Sequence, residues 1–390
     1  MKKLALIVVL LTTCVSFAKT WHVEQATGDD AAAAADKTGA TPFKSIQKAL
    51  SNSNLRNGDT ILVGDGVYTT ADGISSTSNG RACLNINSAI TLKSVNGPAK
   101  THIVGKRSSE SSDGLGSDAA RCIMVNAAAD GTKIIEGFTI RDGASLDTDQ
   151  TKGRGGAVYG YNSGVSTIFI VNCVITNCVS YNYVMNSPNL RGCRVEDCFV
   201  RTGAVVEKGT AAFTLFANMR NENGVSVTRG IKAVNCTFVT NRGDYDFLES
   251  QSYVNHIYNC ICSASGDVKS STGPMDATNS LIGTSNAYPL MAPYFGDYRV
   301  RAGSAAEGTG NAEWLGKVAL PDGWAYGNNI TDPYGNPIDV DHLHLGAIQE
   351  TATPAGGGLR LASGVTLEDG PAAPHVSDGF PTTYPGQDKM

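Results

Sequence analysis

The sequence predicts an all-β solenoid, a single-stranded parallel β-helix, on three observations: a spacing stated twice, the strand-and-turn composition of the units that carry it, and the lack of helical periodicity between those units. In 171–198, VNCVITNCVSYNYVMNSPNLRGCRVEDC, Cys173 and Cys178 lie five apart, Cys193 and Cys198 lie five apart, and the second pair follows the first by twenty residues. Each copy is a short β-branched run closed by a polar turn residue, with Val171, Val174 and Ile175 before Asn177 and Val195 before Asp197. IKAVNCTFVTNRG (231–243) and VNHIYNCICSAS (253–264) repeat the Asn-Cys step. A unit of roughly twenty to twenty-five residues built this way cannot bury its apolar face alone, so copies must stack on one another. Stacking sets Cys over Cys and Asn over Asn at about 4.8 Å. Asn suits such turns because it tolerates the left-handed region and its amide can bond its counterpart in the next coil.

The elements follow in chain order. Residues 1–18 carry Lys2-Lys3, an apolar run from Leu4 to Leu11 and Ser16-Phe17-Ala18, the pattern of a secretory signal peptide cleaved after Ala18. The run is too short to span a bilayer, and Thr13 before Cys14 makes a poor lipoprotein signal. The expected location is extracellular or at the cell surface, with no membrane span once the signal is removed. Residues 21–70 predict strand, loop, helix, loop, strand, with Thr41 as N-cap, Pro42 at N1 and Phe43, Ile46, Ala49 and Leu50 on one helical face. A short helix there would cap the first coil and hide its strand edges. From 82 to 140 the strands CLNI, AITLKSV, HIVG, RCIMV and KIIEGFTI follow, interrupted by the polar loop 108–118. A second excursion, 141–156, mixes acidic and basic residues. The β-helix is placed at 19–285, in about eleven to thirteen coils of roughly twenty to twenty-four residues. Residues 286–350 form a closing segment, and the Gly/Pro/Thr-rich 351–390 is expected to be a largely disordered tail.

Composition agrees. With 44 glycines and only 17% charged residues, polarity comes from turn formers, and the formal net charge of −5 leaves no basic footprint for nucleic acid. Without Cys14 nine of the ten cysteines remain, an odd number, and the stacking distance slightly exceeds what a disulfide wants. Buried free thiols are the expectation.

The cap GDD…TPFKSIQKAL…NGDTILVGDGVY, the early coils ITLKSVNGPAKTHIVG and IIEGFTIRDG, and the terminal YFGDYRVRAGSAAEGTG…GNPIDVDHLHLGAIQE resemble secreted bacterial right-handed parallel β-helix proteins of the pectate-lyase-like superfamily. GGAVY (155–159) and FVTN (238–241) are similar to repeats of polymorphic outer-membrane proteins, one good copy of each being present. The resemblance covers roughly 21–350 and implies the right-handed fold. It also implies where to look for chemistry, since lyases of this superfamily use a Lys or Arg base with Ca²⁺ held by carboxylates. Lys152 and Arg154 are then the catalytic candidates, and Asp142, Asp147, Asp149, Asp244 and Asp246 the Ca²⁺ candidates. The alternative for all seven is a role as solvated loop charges. The paired aspartates of polygalacturonase-like hydrolases, and the W-x-D-H and R-x-P-x-x-R patterns of a major pectate-lyase family, do not occur in the central coils. His342 and His344 fall on one strand face but in the closing segment, which favours a structural role. Tyr159, Tyr161, Tyr181, Tyr183, Tyr245 and Tyr253 are candidate platforms for sugar rings, with turn and edge packing as the alternative. The expected function is a monomeric, non-catalytic protein that binds a polysaccharide or a cell-surface component and needs no cofactor. The alternative is a calcium-dependent polysaccharide lyase acting on a uronate-containing polymer.

Overall fold

Equivalent residues of successive coils line up in one uninterrupted ladder, Thr20–Thr60–Thr91–Ile134–Phe169–Asn189–Thr210–Lys232–His256–Asp276, every step parallel. The computed structural model describes residues 18–126, 131–146, 152–161, 168–221, 226–241, 245–249, 254–262, 269–270, 276–283 and 289–352. The ladder is the spine of a ten-stranded first sheet. A nine-stranded second sheet runs from Gly66–Tyr68 to Leu281–Ile282. A third, also of nine strands, runs from Ser75–Thr77 and Gly80–Ile86 to Lys269–Ser270, and apart from the Ser75–Thr77 hairpin at its edge every pairing in these sheets is parallel. The chain visits the three sheets in turn, which is a right-handed parallel β-helix.

Among the described residues the coils number ten rather than eleven to thirteen. The ladder advances by 40, 31, 43 and 35 residues over its first four steps and by 20, 21, 22, 24 and 20 over the rest. The twenty-residue spacing belongs to the second half alone, because the first half spends its extra residues on excursions between strands. One of these, 108–118, does not leave the coil. Leu115 is fully buried with Ala119, Ala144 and Val179, and Asp113 pairs with Arg201, so the loop folds over the small sheet formed by Val179–Ser180, Phe199–Val200 and Arg220–Asn221.

Inside, side chains stack by type. The inward column of the second sheet reads Tyr68, Ile103, Ile140, Ile175, Val195, Phe216, Phe238 and Cys262, all buried, with the Phe216 and Phe238 rings 4.7 Å apart and 7° from parallel. The corner before this sheet explains the Asn-Cys step. Asn172, Phe213, Asn235, Asn259 and Asn279 occupy it at φ between 47° and 53°, alternating with Gly137 and Gly192. This is left-handed backbone, which Asn and Gly adopt most readily. The Asn259 amide donates to Asn235 Oδ1 at 3.0 Å, and Asn279 donates to Asn259 Oδ1 at 2.8 Å. The next residue of each of these coils, from Gly137 to Asn259, is buried, and there Phe138, Cys173, Cys193, Thr214, Cys236 and Cys260 follow one another. All nine described cysteines are free and buried. Burial pushes the Cys173, Cys178 and Cys260 thiols well above the ordinary thiol range, and Cys193 to about 11.

Two short helices cover the first coil, α1 (Asp30–Ala35) and α2 (Ile46–Leu50). Asp29 caps α1 by accepting from Ala31 and Ala32. The N-cap of α2 is Ser45, not Thr41, because Phe43 is held in an extended bridge to Val23 and the Asp30 carboxylate accepts from the Lys44 and Ser45 amides.

The segment 289–352 does more than close the end, for it runs back along the side of the stack. Asn172, Asn235, Asn259 and Asn279 donate to the carbonyls of Asn329, His344, Asn311 and Thr309. The left-handed corner is thus a docking rail for a C-terminal strap. The strap covers two apolar stripes: Phe169, Val171, Ala212, Phe213 and Val234 outside the first sheet, and Leu215, Ala217, Val239 and Ile261 outside the second. Arg191, fully buried, fastens it by donating through Nε to the Ala319 carbonyl at 3.1 Å and through Nη2 to Thr210 Oγ1 at 2.8 Å. No helix among the described residues is long and apolar enough to cross a membrane.

Candidate functional site

With the strap anchored on the first two sheets, the outer face of the third sheet carries a polar, aromatic surface of its own. Its rungs pair Arg154 with Tyr183 and Ala204, and Asn186 with Glu207 and Arg229. Beside them Asn85, Met124 and Tyr159 share a rung, as do Asn126 and Tyr161. Val158, Met185 and Val206 belong to the buried core together with Val184 and Val205, while Tyr159, Asn186 and Glu207, which follow them, lie outside that cluster.

The outward residues are organised as cation on ring. Arg121 lies over the Tyr159 ring at 4.8 Å, and Arg154 lies over the Tyr183 ring at 5.5 Å. Arg121 is only 1% exposed; its Nε donates to the Arg154 carbonyl at 2.6 Å and its Nη2 to the Lys152 carbonyl at 2.7 Å. It therefore clamps the strand entry that presents Lys152 and Arg154. The Tyr183 hydroxyl hydrogen-bonds Glu207, and burial first, then that carboxylate, pushes it up to about 12. Arg154 Nε has no hydrogen-bond partner among the described residues. Tyr161 stacks near Tyr159, centroids 6.4 Å apart, and its hydroxyl donates to Asn87 Oδ1 at 3.1 Å. Tyr159, Tyr183 and Glu207 form a buried floor, while Lys152, Arg154, Tyr161, Asn186 and Arg229 form a half-buried rim.

The sequence candidates distribute unevenly over this site. Arg154 and Lys152 lie in it, at the start of the strand Arg154–Tyr161 and in the turn before it. Asp142 does not. It sits at the corner after the second sheet with φ 57°, its carboxylate engaged by the Arg141 guanidinium and the Asn177 amide. Asp147, Asp149 and Asp244 lie outside the described residues, and Asp246 lies in the strand Tyr245–Glu249, whose side chains are not described. No group of three or more metal-ligating side chains occurs among the described residues. Of the tyrosines, Tyr159 and Tyr183 are buried rather than exposed, because guanidinium groups already cover their rings. Tyr161 remains half-open. Tyr181 packs instead on the Leu115–Val179 cluster, the side chain of Tyr245 is not described, and Tyr253 lies outside the described residues. His342 pairs with Asp339 at 2.9 Å, whereas His344 accepts from the Gly308 amide at 2.8 Å, so the two do not converge.

Sequence reasoning missed Arg121 and Glu207. Arg121 opens the run RCIMVN and Glu207 closes AVVE, each a charge at the end of a buried strand. That placement was the available signal.

The sequence matches no protein-family model and no curated protein. Among solved structures the chain is similar to a pectin methylesterase from Erwinia chrysanthemi, at 12% identity and a TM-score of 0.30, over 64% of this chain and 74% of that one. It is also similar to two pectin methylesterase structures with bound hexasaccharides. One, at 11% identity and 0.30, covers 73% of this chain and 99% of that one. The other, a mutant, at 10% and 0.29, covers 58% and 81%. The fold assignment rests on the register of the three sheets.

Proposed function

We propose that this is a secreted or cell-surface protein that holds an extracellular glycan along the outer face of its third sheet without cleaving it. The observation that carries this reading is the row of arginines on aromatic rings, Arg121 on Tyr159 and Arg154 on Tyr183, continued by Glu207 and Arg229 along the stacking direction. A β-helix repeats its surface at about 4.8 Å per coil, so groups stacked this way suit an extended, repeating ligand better than a compact one. Among the described side chains of this face, Arg121, Arg154, Arg229 and Lys152 outnumber Glu207, in a chain whose net charge is −5. Such a local cationic excess favours acidic groups on the ligand, which guanidinium can bind in bidentate fashion. The Glu207 carboxylate is taken by Tyr183, which supports binding over acid–base work. A monomer suffices for this role.

The second reading is a calcium-dependent polysaccharide lyase. It is favoured by Arg154, whose Nε has no hydrogen-bond partner among the described residues and whose strand entry Arg121 holds in place together with Lys152. A binding screen of purified 19–390 against acidic and neutral polysaccharides, run beside an assay for unsaturated product with and without calcium, separates the two. Binding without product is expected. Calcium-dependent product that disappears in Lys152→Ala or Arg154→Ala would replace the binding reading with the lyase.

A further inference from the structure

Asp59 stands apart from every feature used so far. It is 2% exposed and accepts three N–H groups: the Lys19 main chain on Oδ1 at 2.8 Å, and the Trp21 indole and the Arg56 main chain on Oδ2, each at 2.9 Å. None of the three carries a charge. The nearby cations are turned elsewhere, with Lys19 Nζ on the Lys37 carbonyl at 2.8 Å and the Arg56 guanidinium on the carbonyls of Ser53 and Leu55. Among the described residues the carboxylate is thus met only by neutral donors, and a cation brought against it would add a Coulombic attraction that none of them supplies. One of its three donors, Lys19 N, is the atom that hydrolysis of the Ala18–Lys19 bond would turn into an α-ammonium. Ala18 and Lys19 are exposed, and Ala18 lines an open cavity with Leu55, Arg56, Gly58, Asp59 and Ser88. The leader's junction is thus accessible while the carboxylate behind it is sealed.

We infer that Asp59 is a receptor for the mature N-terminus, and that cleavage after Ala18 supplies it with a counter-ion. Water adds across the Ala18–Lys19 peptide bond under a signal-peptide-cleaving protease, leaving a carboxylate on Ala18 and an amine on Lys19 that takes up a proton. The hydrogen bond to Oδ1 is kept and a formal positive charge is added to it. The consequence reaches the first coil directly. Lys19 precedes the first strand, Thr20–Val23, and its carbonyl accepts from the Thr60 amide at 2.8 Å, while the same carboxylate holds Trp21, one of the largest buried side chains. Processing would therefore lock the first rung and the cap that shields it.

This rests on the secretion reading, and the test separates the two. The exported protein is first sequenced from its N-terminus, where Lys19 is expected. The α-amine of the purified 19–390 protein is then titrated by competitive acylation, beside an Asp59→Asn variant. Pairing with Asp59 should raise the amine's pKa by about one unit from its usual value near 8, slowing acylation at pH 7 about tenfold relative to Asp59→Asn. A version that keeps Ala18 as one extra residue should label at the ordinary rate and melt a few degrees lower. It also serves if Asp59→Asn does not fold. A start other than Lys19 overturns the cleavage site and the inference with it. A start at Lys19 whose amine labels like a free peptide's, with no melting difference from the extended form, overturns the receptor while leaving secretion standing.

Discussion

The outer faces of the first and third sheets are made by the same coils, yet they solve opposite problems. Outside the first sheet, Phe169, Val171, Phe213 and Val234 would be an exposed apolar stripe, and a strap from 289–352 covers them. Outside the third, Arg121 and Arg154 cover the rings of Tyr159 and Tyr183, and Tyr183 hydrogen-bonds Glu207. The first face spends its side chains on the protein itself; the third keeps a polar rim turned outward. On the proposed reading, the ligand surface is the face that the chain leaves to its own polar residues.

That contrast can be broken at several points, the largest through the interior both faces share. Cys193→Asp places a carboxylate among stacked thiols and should cost at least about 4 kcal/mol in chemical denaturation, against about 1–2 kcal/mol for Cys193→Ala. Next come two glycines. A Cβ at Gly192, φ 63°, would meet the strap's Thr331 carbonyl at 2.4 Å, so Gly192→Val should cost about 3 kcal/mol and open 311–349 to protease. Gly160, on the third sheet, would meet only the end of the Ile168 side chain at 2.9 Å, and Gly160→Ala should stay below about 1 kcal/mol.

Two arginines give the next test. Arg191→Ala leaves the Ala319, Leu190 and Thr210 oxygens without their donor and should lower stability by about 2–3 kcal/mol with glycan binding intact. Arg154→Ala should do the reverse, changing stability by less than about 1 kcal/mol and weakening binding about tenfold.

The smallest effect is a pH dependence. With its folded pKa raised to about 12, Tyr183 stays neutral where an unfolded phenol, near 10, ionises. Its contribution to stability is complete below pH 10 and lost as pH rises towards 12. Tyr183→Phe should flatten part of that loss in denaturation midpoints measured from pH 9 to 12. The buried Cys173, Cys178, Cys193 and Cys260 thiols, and Tyr298 and Tyr326 on the strap side, all raised chiefly by burial, should leave the rest of it.

How much of this was legible follows from which interactions repeat. The Cys and Asn columns were readable because the coils from 171 onward pair a left-handed residue with a small inward one at the same corner, so spacing alone betrays them. Coil number was not, since 40- and 43-residue steps carry no periodic signal. The rail was half-legible. Asn-on-Asn bonding was expected, but Asn172 and Asn235 also donate to carbonyls of a non-repeating segment more than a hundred residues away, and no local pattern announces such a partner. At the site, Lys152 and Arg154 were found as loop charges, whereas Arg121 and Glu207 lay hidden in apolar strands. Asp142 looked like a ligand because an Asp in a mixed-charge loop resembles one; the backbone shows a left-handed turn residue satisfied by its neighbours.

The central claim, that the third sheet is the ligand face, is tested most directly by amide hydrogen exchange of the protein with and without a bound acidic polysaccharide. The account predicts slowed exchange in peptides covering 121–126, 154–161, 183–186 and 204–207, with 309–349 unchanged. Protection confined to the strap or to the second sheet would contradict it.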